Sequence, residues 1–278
     1  MPRIPFRSIT ALALAFALGC AASASAQGVE DDDAALNLAE PDFGIVNLPT
    51  TLRLPKFRSN FHLAHRFNGN LRQDGLADSL DNLFGLDQGA SVGFEYRFGV
   101  ARRLQAIAAR TNIDKSIQLS AQYDAVHRTG SIAISALAAV EGERNFRARY
   151  SPSIGAVVGR TAGERIGMYA VPVWSHRPGV DGGAGSDTFV LGLGARVRLS
   201  ETVYVVGEMS PRLAGVAPGD PELAFGIEKR AGGHVFQLTV ANTHGITFGQ
   251  LAQGGLPGSL YLGFNLARKF FYQPRRRR

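Results

Sequence analysis

The sequence contains one cysteine and one tryptophan, and beyond residue 26 no apolar run approaches the roughly 20 residues of a membrane-spanning helix. It also lacks a G-x-S-x-G nucleophile motif. Cys20 lies in a predicted export signal, and its removal would leave the mature chain without a thiol. Disulfides, cysteine–metal sites and cysteine nucleophiles would then be excluded. Such a chain crosses a membrane only as a closed β-barrel, because lipid offers an open sheet edge no hydrogen-bond partners.

Residues 1–26 have the three parts of an export signal. Arg3 and Arg7 form a positive start, residues 9–22 are apolar and uncharged, and Ala24-Ser25-Ala26 is a cleavage motif. We predict a cleaved signal peptide over residues 1–26. A membrane-anchoring helix and a lipoprotein attached through Cys20 are the alternatives.

The basic charge is concentrated at the two ends of the chain. The net charge of +7 falls to +5 without Arg3 and Arg7, and to +1 when residues 275–278 are also left out. Nucleic-acid binding therefore loses its main compositional support, and we expect no nucleic-acid partner. Residues 273–278 form a basic tail, either solvated or in contact with anionic lipid or another polyanion.

The chain between signal and tail has two parts. Residues 27–58 contain an acidic run at 30–33 and Pro41, Pro49 and Pro55, and we expect a solvated periplasmic leader. A plug that folds back into a barrel is the alternative. From about residue 60, small or charged residues alternate with large apolar ones, as in 91–98 and 188–199. This period of two predicts strands and a β-barrel over residues 59–272.

Twelve strands are predicted, and several are long enough to cross a bilayer at a tilt. Their approximate ranges are 60–68, 89–98, 103–111, 115–126, 130–140, 146–158, 165–175, 187–199, 202–210, 222–230, 233–242 and 258–270. Most links alternate between short and long; those after the third and fifth strands should be long but are not obviously so. Short periplasmic turns with long outer loops are typical of outer-membrane barrels. We predict an all-β, antiparallel up-and-down transmembrane barrel of about 12 strands in the bacterial outer membrane.

In such a barrel the apolar face of each strand meets lipid and the polar face lines the lumen. The lipid face would carry Val92, Phe94, Tyr96, Phe98, Ile117, Leu119, Tyr123, Ile132, Ile134, Leu191, Leu193, Phe236, Leu238, Leu262, Phe264 and Leu266. A polar lumen cluster would contain His62, Arg66, Glu95, Arg97, Arg196, Arg198, Glu208, Glu228, Gln237 and Asn265. Unpaired buried charge is costly, so this mixture of signs indicates a filled lumen or a small pore.

From these residues we expect no catalytic activity, no metal site and no other cofactor. Ser175 and His176 are neighbours on a predicted strand and so point to opposite faces, as do His62 and His65. The loop at 181–187 resembles a calcium loop only loosely. We expect a small pore, a transport conduit for an unknown small-molecule solute or a structural surface barrel. The alternatives are a barrel enzyme acting on lipid and a soluble periplasmic barrel binding an apolar ligand, with its faces inverted.

Four segments carry a resemblance to a known family: His65-Arg66-Phe67, Phe84-Gly85-Leu86-Asp87, residues 233–238 and Leu262-Gly263-Phe264-Asn265. Taken in this order, they resemble the uncharacterised outer-membrane β-barrel family named domain of unknown function 5777, over about residues 50–270. The resemblance implies a β-barrel and brings no catalytic residues. Residues 261–270 also resemble the terminal strand read by barrel-insertion machinery. The expected partners are that machinery and outer-membrane lipid.

Overall fold

The computed structural model of the chain describes residues 38–72, 88–129, 132–178, 186–215 and 219–270. Several predicted features lie outside these residues. They are the signal peptide with Cys20, leader residues 27–37, the segment 84–87, loop residues 181–185, residues 271–272 and the basic tail.

The described chain forms one antiparallel sheet that closes on itself. Its strands are β1 Ser59–Asn70, β2 Ala90–Ala101, β3 Leu104–Thr111, β4 Ile117–Thr129, β5 Ile132–Gly142, β6 Ala148–Ala162, β7 Ile166–Ser175, β8 Thr188–Arg198, β9 Val203–Ser210, β10 Arg212–Ala214, β11 Glu222–Ala231, β12 His234–Ala241 and β13 Tyr261–Lys269. Strands pair in chain order, with β9 beside β11, and the pairing of β1 with β13 closes a ring of twelve. The predicted twelve-stranded barrel is confirmed.

The thirteenth strand, β10, is a short continuation that the sequence did not predict. It pairs with β8 beyond the end of β9, and Pro211 separates the two strands. Proline has no N–H to donate to a ladder, so the strand is interrupted at that residue. Its carbonyl still accepts a hydrogen bond from the Leu191 amide at 3.0 Å.

Loops at the two ends of the barrel differ in length. Links of two to four residues join β2 to β3, β6 to β7, β8 to β9 and β11 to β12, at the end where β1 begins and β13 finishes. The opposite end carries the longer links, including residues 242–260. The links after β3 and β5, at 112–116 and 143–147, also lie at this end and are its shortest.

The outer surface of the strands is apolar. Leu238 and Ile227 are each 59 % exposed, and Phe94, Tyr96 and Leu119 also lie on the outside. In a soluble barrel the same alternation would place these side chains inside, so the alternative with inverted faces is wrong. The described residues contain no helix that is long and apolar enough to span a membrane.

Residues 38–55, which we call the lumen segment, lie inside the barrel. Ile45, Val46 and Leu48 are at most 3 % exposed, and they share one apolar cluster with inward-facing Val171 and Val206. In place of the expected solvated leader, the structure has these residues buried in the lumen, which is the arrangement of the plug alternative. Burial of their apolar side chains in the lumen is favoured by the hydrophobic effect.

Candidate functional site

The lumen segment folds into a hairpin over residues 43–50. Gly44 and Pro49 form an antiparallel bridge, and the Thr50 amide donates to the Phe43 carbonyl at 2.9 Å. The Ile45 amide donates to the Leu48 carbonyl at 2.8 Å and closes the tip. The remaining polar atoms of the tip point towards the barrel wall, because a turn of this size cannot satisfy them internally.

One carboxylate on β9 binds the tip of the hairpin. Glu208 accepts hydrogen bonds from the amides of Val46 at 3.0 Å, Asn47 at 2.7 Å and Leu48 at 3.0 Å. Consecutive backbone amides that converge on the oxygens of one carboxyl group form a nest. Glu208 therefore satisfies three buried donors that would otherwise lack partners.

The carbonyl oxygens of the same turn are bound by side chains on three other strands. Arg196 Nη2 donates to the Gly44 carbonyl at 2.7 Å, and Gln237 Nε2 donates to the Ile45 carbonyl at 2.6 Å. Asn265 Nδ2 donates to the Val46 carbonyl at 2.9 Å. The wall thus recognises the backbone of the turn from both its donor and its acceptor sides.

These wall residues are joined to one another in a polar ladder, formed by Arg66, Asn265, Gln237, Glu228 and Arg196. Arg66 donates to Asn265, Asn265 to Gln237, and Gln237 to Glu228, at 2.7 to 2.8 Å. Glu228 also pairs with Arg196 at 2.8 Å, with both side chains fully buried. Glu228, Gln237 and Asn265 are direct partners across β11, β12 and β13, so sheet register aligns them. The paired charges offset much of the cost of their burial.

The polar wall also binds the side chain of Asn47. Its Nδ2 donates to Glu222 at 3.2 Å, and its Oδ1 accepts from Arg66 Nη2 at 2.9 Å. An amide is suited to this position because it donates towards the carboxylate and accepts from the guanidinium.

A second polar cluster holds the chain as it leaves the hairpin. Gln122 donates to the Thr50 carbonyl at 2.9 Å, and Gln105 donates to the Leu52 carbonyl at 3.1 Å. Arg97 connects the two glutamines and pairs with Glu95 at 3.1 Å. The side of the hairpin opposite the polar ladder is therefore bonded to β3 and β4, and Arg97 on β2 holds the two glutamines.

Glycines on β8 leave room for the apolar side chains of the turn. A Cβ at position 194 would lie 2.3 Å from Cδ1 of Ile45, and one at position 192 would lie 2.7 Å from Cδ2 of Leu48. Any larger residue at either position would displace the hairpin side chain. Both glycines share the inward face of β8 with Arg196, and here that face forms two small apolar pockets.

Two cations flank Phe43 at the base of the hairpin. The Arg97 guanidinium lies 5.2 Å from the ring centroid and the Lys269 ammonium 5.6 Å away, which are cation–π distances. Lys269 also donates to the Pro41 carbonyl and lies 3.4 Å from Asp42. This end of the lumen segment is thus fixed near the final residue of β13.

The long link 242–260 covers the other end of the hairpin. Its helical turn, Phe248–Leu251, packs into the apolar cluster, and the Phe248 amide donates to Gln118 at 2.9 Å. His244 in this link lies beside Tyr261, and burial lowers its pKa despite an opposing hydrogen bond with the Phe67 backbone. A cavity of about 60 Å³ remains between the hairpin, β1–β5 and Phe248, enough for a few water molecules.

The structure brings together six of the ten residues predicted for the lumen cluster, all around the turn: Arg66, Arg196, Glu208, Glu228, Gln237 and Asn265. Glu95 and Arg97 lie in the second cluster, and His62 lines the cavity. Arg198 lies apart, near the short turn after β8, where it pairs with Glu164 at 3.5 Å.

Several lumen residues were missed from sequence. Glu222 and Lys269 lie inside the barrel, and their alternation with Glu228 and Asn265 along the same strands was an available signal. Gln105 faces inward by the same alternation on β3. Asn47 had no such signal, because its role depends on the fold of the lumen segment.

The serine and histidine at the end of β7 are separated, as expected. The Ser175 hydroxyl is buried and lies 2.8 Å from that of Ser153, whereas His176 is partly exposed and pairs with Asp187 at 2.7 Å. His65 lies on the other side of the wall from Arg66 and stacks on Phe264. Within the described ranges, no three His, Cys, Asp or Glu residues are grouped as a metal site requires.

Sequence comparison identifies the family. A family model described as a membrane bound beta barrel domain, domain of unknown function 5777, matches residues 42–270. The chain belongs to this family. Because the match begins at Asp42, the family's domain includes the hairpin as well as the strands. No curated protein matches the chain.

Three solved structures illustrate the similarity to known barrels. The NanC porin has a TM-score of 0.49 and 7% identity, covering 78% of this chain and 100% of that one. Omp33 from Acinetobacter baumannii has a TM-score of 0.44 and 9% identity, covering 77% and 99%. Outer membrane phospholipase A from Escherichia coli has a TM-score of 0.46 and 8% identity, covering 84% and 98%.

Proposed function

We propose that the protein is a conduit for small polar solutes in the bacterial outer membrane, and that its own N-terminal hairpin closes the lumen. The observation that carries this proposal is the bonding of the polar wall to a separate chain segment. Glu208, Arg196, Gln237 and Asn265 all bind backbone atoms of residues 44–48. Without the hairpin, these groups would line the lumen, and the helical turn Phe248–Leu251 would lose part of the apolar cluster that it packs against.

The outward apolar face supports the membrane location. A side chain such as Leu238, exposed near the middle of β12, is stable against lipid and unfavourable against water. Short turns mark the periplasmic end in barrels of this type, which would place both barrel termini in the periplasm. A cleaved signal peptide, outer-membrane lipid and the insertion machinery complete this proposal as its expected route and partners.

The lumen is filled by a separate chain segment, and this favours a closed conduit over a purely structural barrel. Small barrels that lack a passage fill their interior with side chains of the wall itself. In this barrel the wall side chains leave room for residues 38–55, and they pair with that segment's backbone. Both ends of the lumen segment lie at the short-turn end of the barrel, so the hairpin would move out of the lumen towards the periplasm.

The proposal includes no catalytic step. Ser175 is bonded to Ser153 in the interior, and the partly exposed His176 is paired with Asp187. This arrangement separates the candidate nucleophile from the candidate base, whereas nucleophilic catalysis requires them within hydrogen-bond reach.

Conductance in planar bilayers tests the proposal. The full chain would be compared with a variant in which residues 43–50 are replaced by a short glycine–serine linker, after both show heat-modifiable migration from the outer-membrane fraction. We expect the full chain to conduct little and the variant to form steady channels. Their ion selectivity should be weak, because Arg66 and Arg196 face Glu208, Glu222 and Glu228 in the lumen. A folded variant that passes no current would identify a structural barrel instead.

A further inference from the structure

The wall around the hairpin tip binds the peptide backbone of the turn. Three consecutive amides, from Val46 to Leu48, are bound by Glu208, and three consecutive carbonyls, from Gly44 to Val46, are bound by Arg196, Gln237 and Asn265. These six contacts do not involve the side chains of the turn. Any peptide that adopts the same turn would offer the same six atoms.

The side-chain positions of the turn impose a simple requirement. Ile45 and Leu48 occupy the spaces above Gly194 and Gly192, which accept compact apolar groups. Asn47 lies between a carboxylate and a guanidinium, which suits a side chain that both donates and accepts. The wall therefore selects two apolar residues that flank a polar one.

From these contacts we propose that the lumen wall is a binding site for short peptides in a turn conformation, and that the hairpin occupies it as an intramolecular competitor. The proposal rests on the proposed conduit function and names its substrate class. A neutral oligosaccharide lacks the consecutive amide donors and the apolar groups, so it would leave Glu208 and the glycine pockets without matched partners.

The direction of access follows from the loops. Phe248 and the rest of its helical turn cover the hairpin at the long-loop end. At the short-turn end the lumen segment leaves through Lys56 and Phe57, which are both exposed. Phe57 has a φ of 61°, a left-handed conformation that is strained for a residue with a side chain. A competing peptide would therefore enter from the periplasmic side, past this junction.

The test converts the hairpin into a ligand that can be displaced. A site-specific protease sequence is inserted between Lys56 and Phe57, the full chain is folded in detergent micelles, and the junction is then cut. A fluorophore on the released N-terminal fragment reports whether it stays bound. Three competitors are added: a peptide of residues 42–51, a peptide with valine, alanine and methionine in place of Ile45, Val46 and Leu48, and maltotriose.

We expect both peptides to displace the fragment and maltotriose to have no effect. Glu208→Gln should weaken peptide binding about 30-fold, the effect of leaving one buried amide without its acceptor. Glu201→Gln, on the exposed turn after β8, is the matched control and should leave it unchanged.

Displacement by maltotriose, displacement only by the native 42–51 peptide, or a fragment that no competitor releases would each overturn the proposal. Conductance of the cut barrel after removal of the fragment is measured separately. Peptide displacement without current would contradict the conduit function while leaving peptide recognition supported.

Discussion

The backbone amide nitrogen of Asn47 lies 2.7 Å from Oε1 of Glu208, although the two residues are 161 positions apart in the chain. Oε2 of the same carboxylate accepts the amides of Val46 and Leu48. One side chain on β9 thus satisfies the tip of a segment that precedes the whole barrel. The position of the hairpin in the lumen therefore depends strongly on this side chain.

The first prediction concerns Glu208→Gln. Glutamine retains the size of glutamate but carries an amino group in place of one acceptor oxygen, so at least one amide of the turn loses its partner. We expect the closed state to lose about 2 kcal/mol, which raises the open fraction about 30-fold. Channel opening in planar bilayers measures this change. Glu201→Gln should open no more often than the wild type, and equal opening of the two variants would contradict the role of Glu208.

The second prediction concerns the contact between Gly194 and Ile45. Gly194→Ala places a Cβ in the space that Cδ1 of Ile45 occupies, and such overpacking costs about 1–3 kcal/mol. Ile45→Ala alone also destabilises, because it leaves a void. In the double variant the added methyl fills part of that void. Its loss of unfolding free energy should therefore be at least about 1 kcal/mol smaller than the sum of the two single losses. Urea unfolding of the four proteins in one detergent measures the coupling, and strictly additive losses would place the two residues apart.

A third prediction tests which face meets lipid. Leu238 and Leu213 are almost equally exposed, at 59 % and 58 %, but Leu238 lies mid-strand on β12 and Leu213 lies on β10 at the long-loop end. In a bilayer, Leu238→Arg should destabilise the folded barrel by about 2–4 kcal/mol, and Leu213→Arg by about 0–1 kcal/mol. Reversible folding into phospholipid vesicles measures both. Similar small effects of the two substitutions would argue for water at both sites.

A fourth prediction concerns pH and His244. Burial lowers the pKa of this imidazole from its ordinary value of 6.5, and the nearby Arg66 charge acts in the same direction. Below pH 6.5 the unfolded chain therefore binds more protons than the folded chain. The contribution of the neutral His244 side chain to the free energy of unfolding is complete above that pH and declines as the pH falls. Thermal unfolding at pH 7.5 and pH 5.5 should show a smaller loss for His244→Gln than for the wild type. An equal loss would assign the pH dependence to other groups.

Much of the barrel was predictable from the sequence because strand geometry is local. Side chains alternate across a strand, so the placement of Phe94 outside and Arg97 inside follows from their spacing alone. Loop lengths at the two ends depend only on counting residues between strands. The short strand β10 escaped prediction, because three residues after Pro211 carry too little periodicity to be recognised.

The sequence alone determined the barrel, its strand order and the polar character of its interior, since each follows from alternation repeated along neighbouring segments. Only the tertiary structure decided what fills that interior. Residues 38–55 carry no strand pattern, and their turn is stabilised by partners such as Glu208 and Asn265, which lie far away in sequence. The free energy that places the hairpin in the lumen comes from side chains brought together by closure of the sheet, and no local pattern records such contacts.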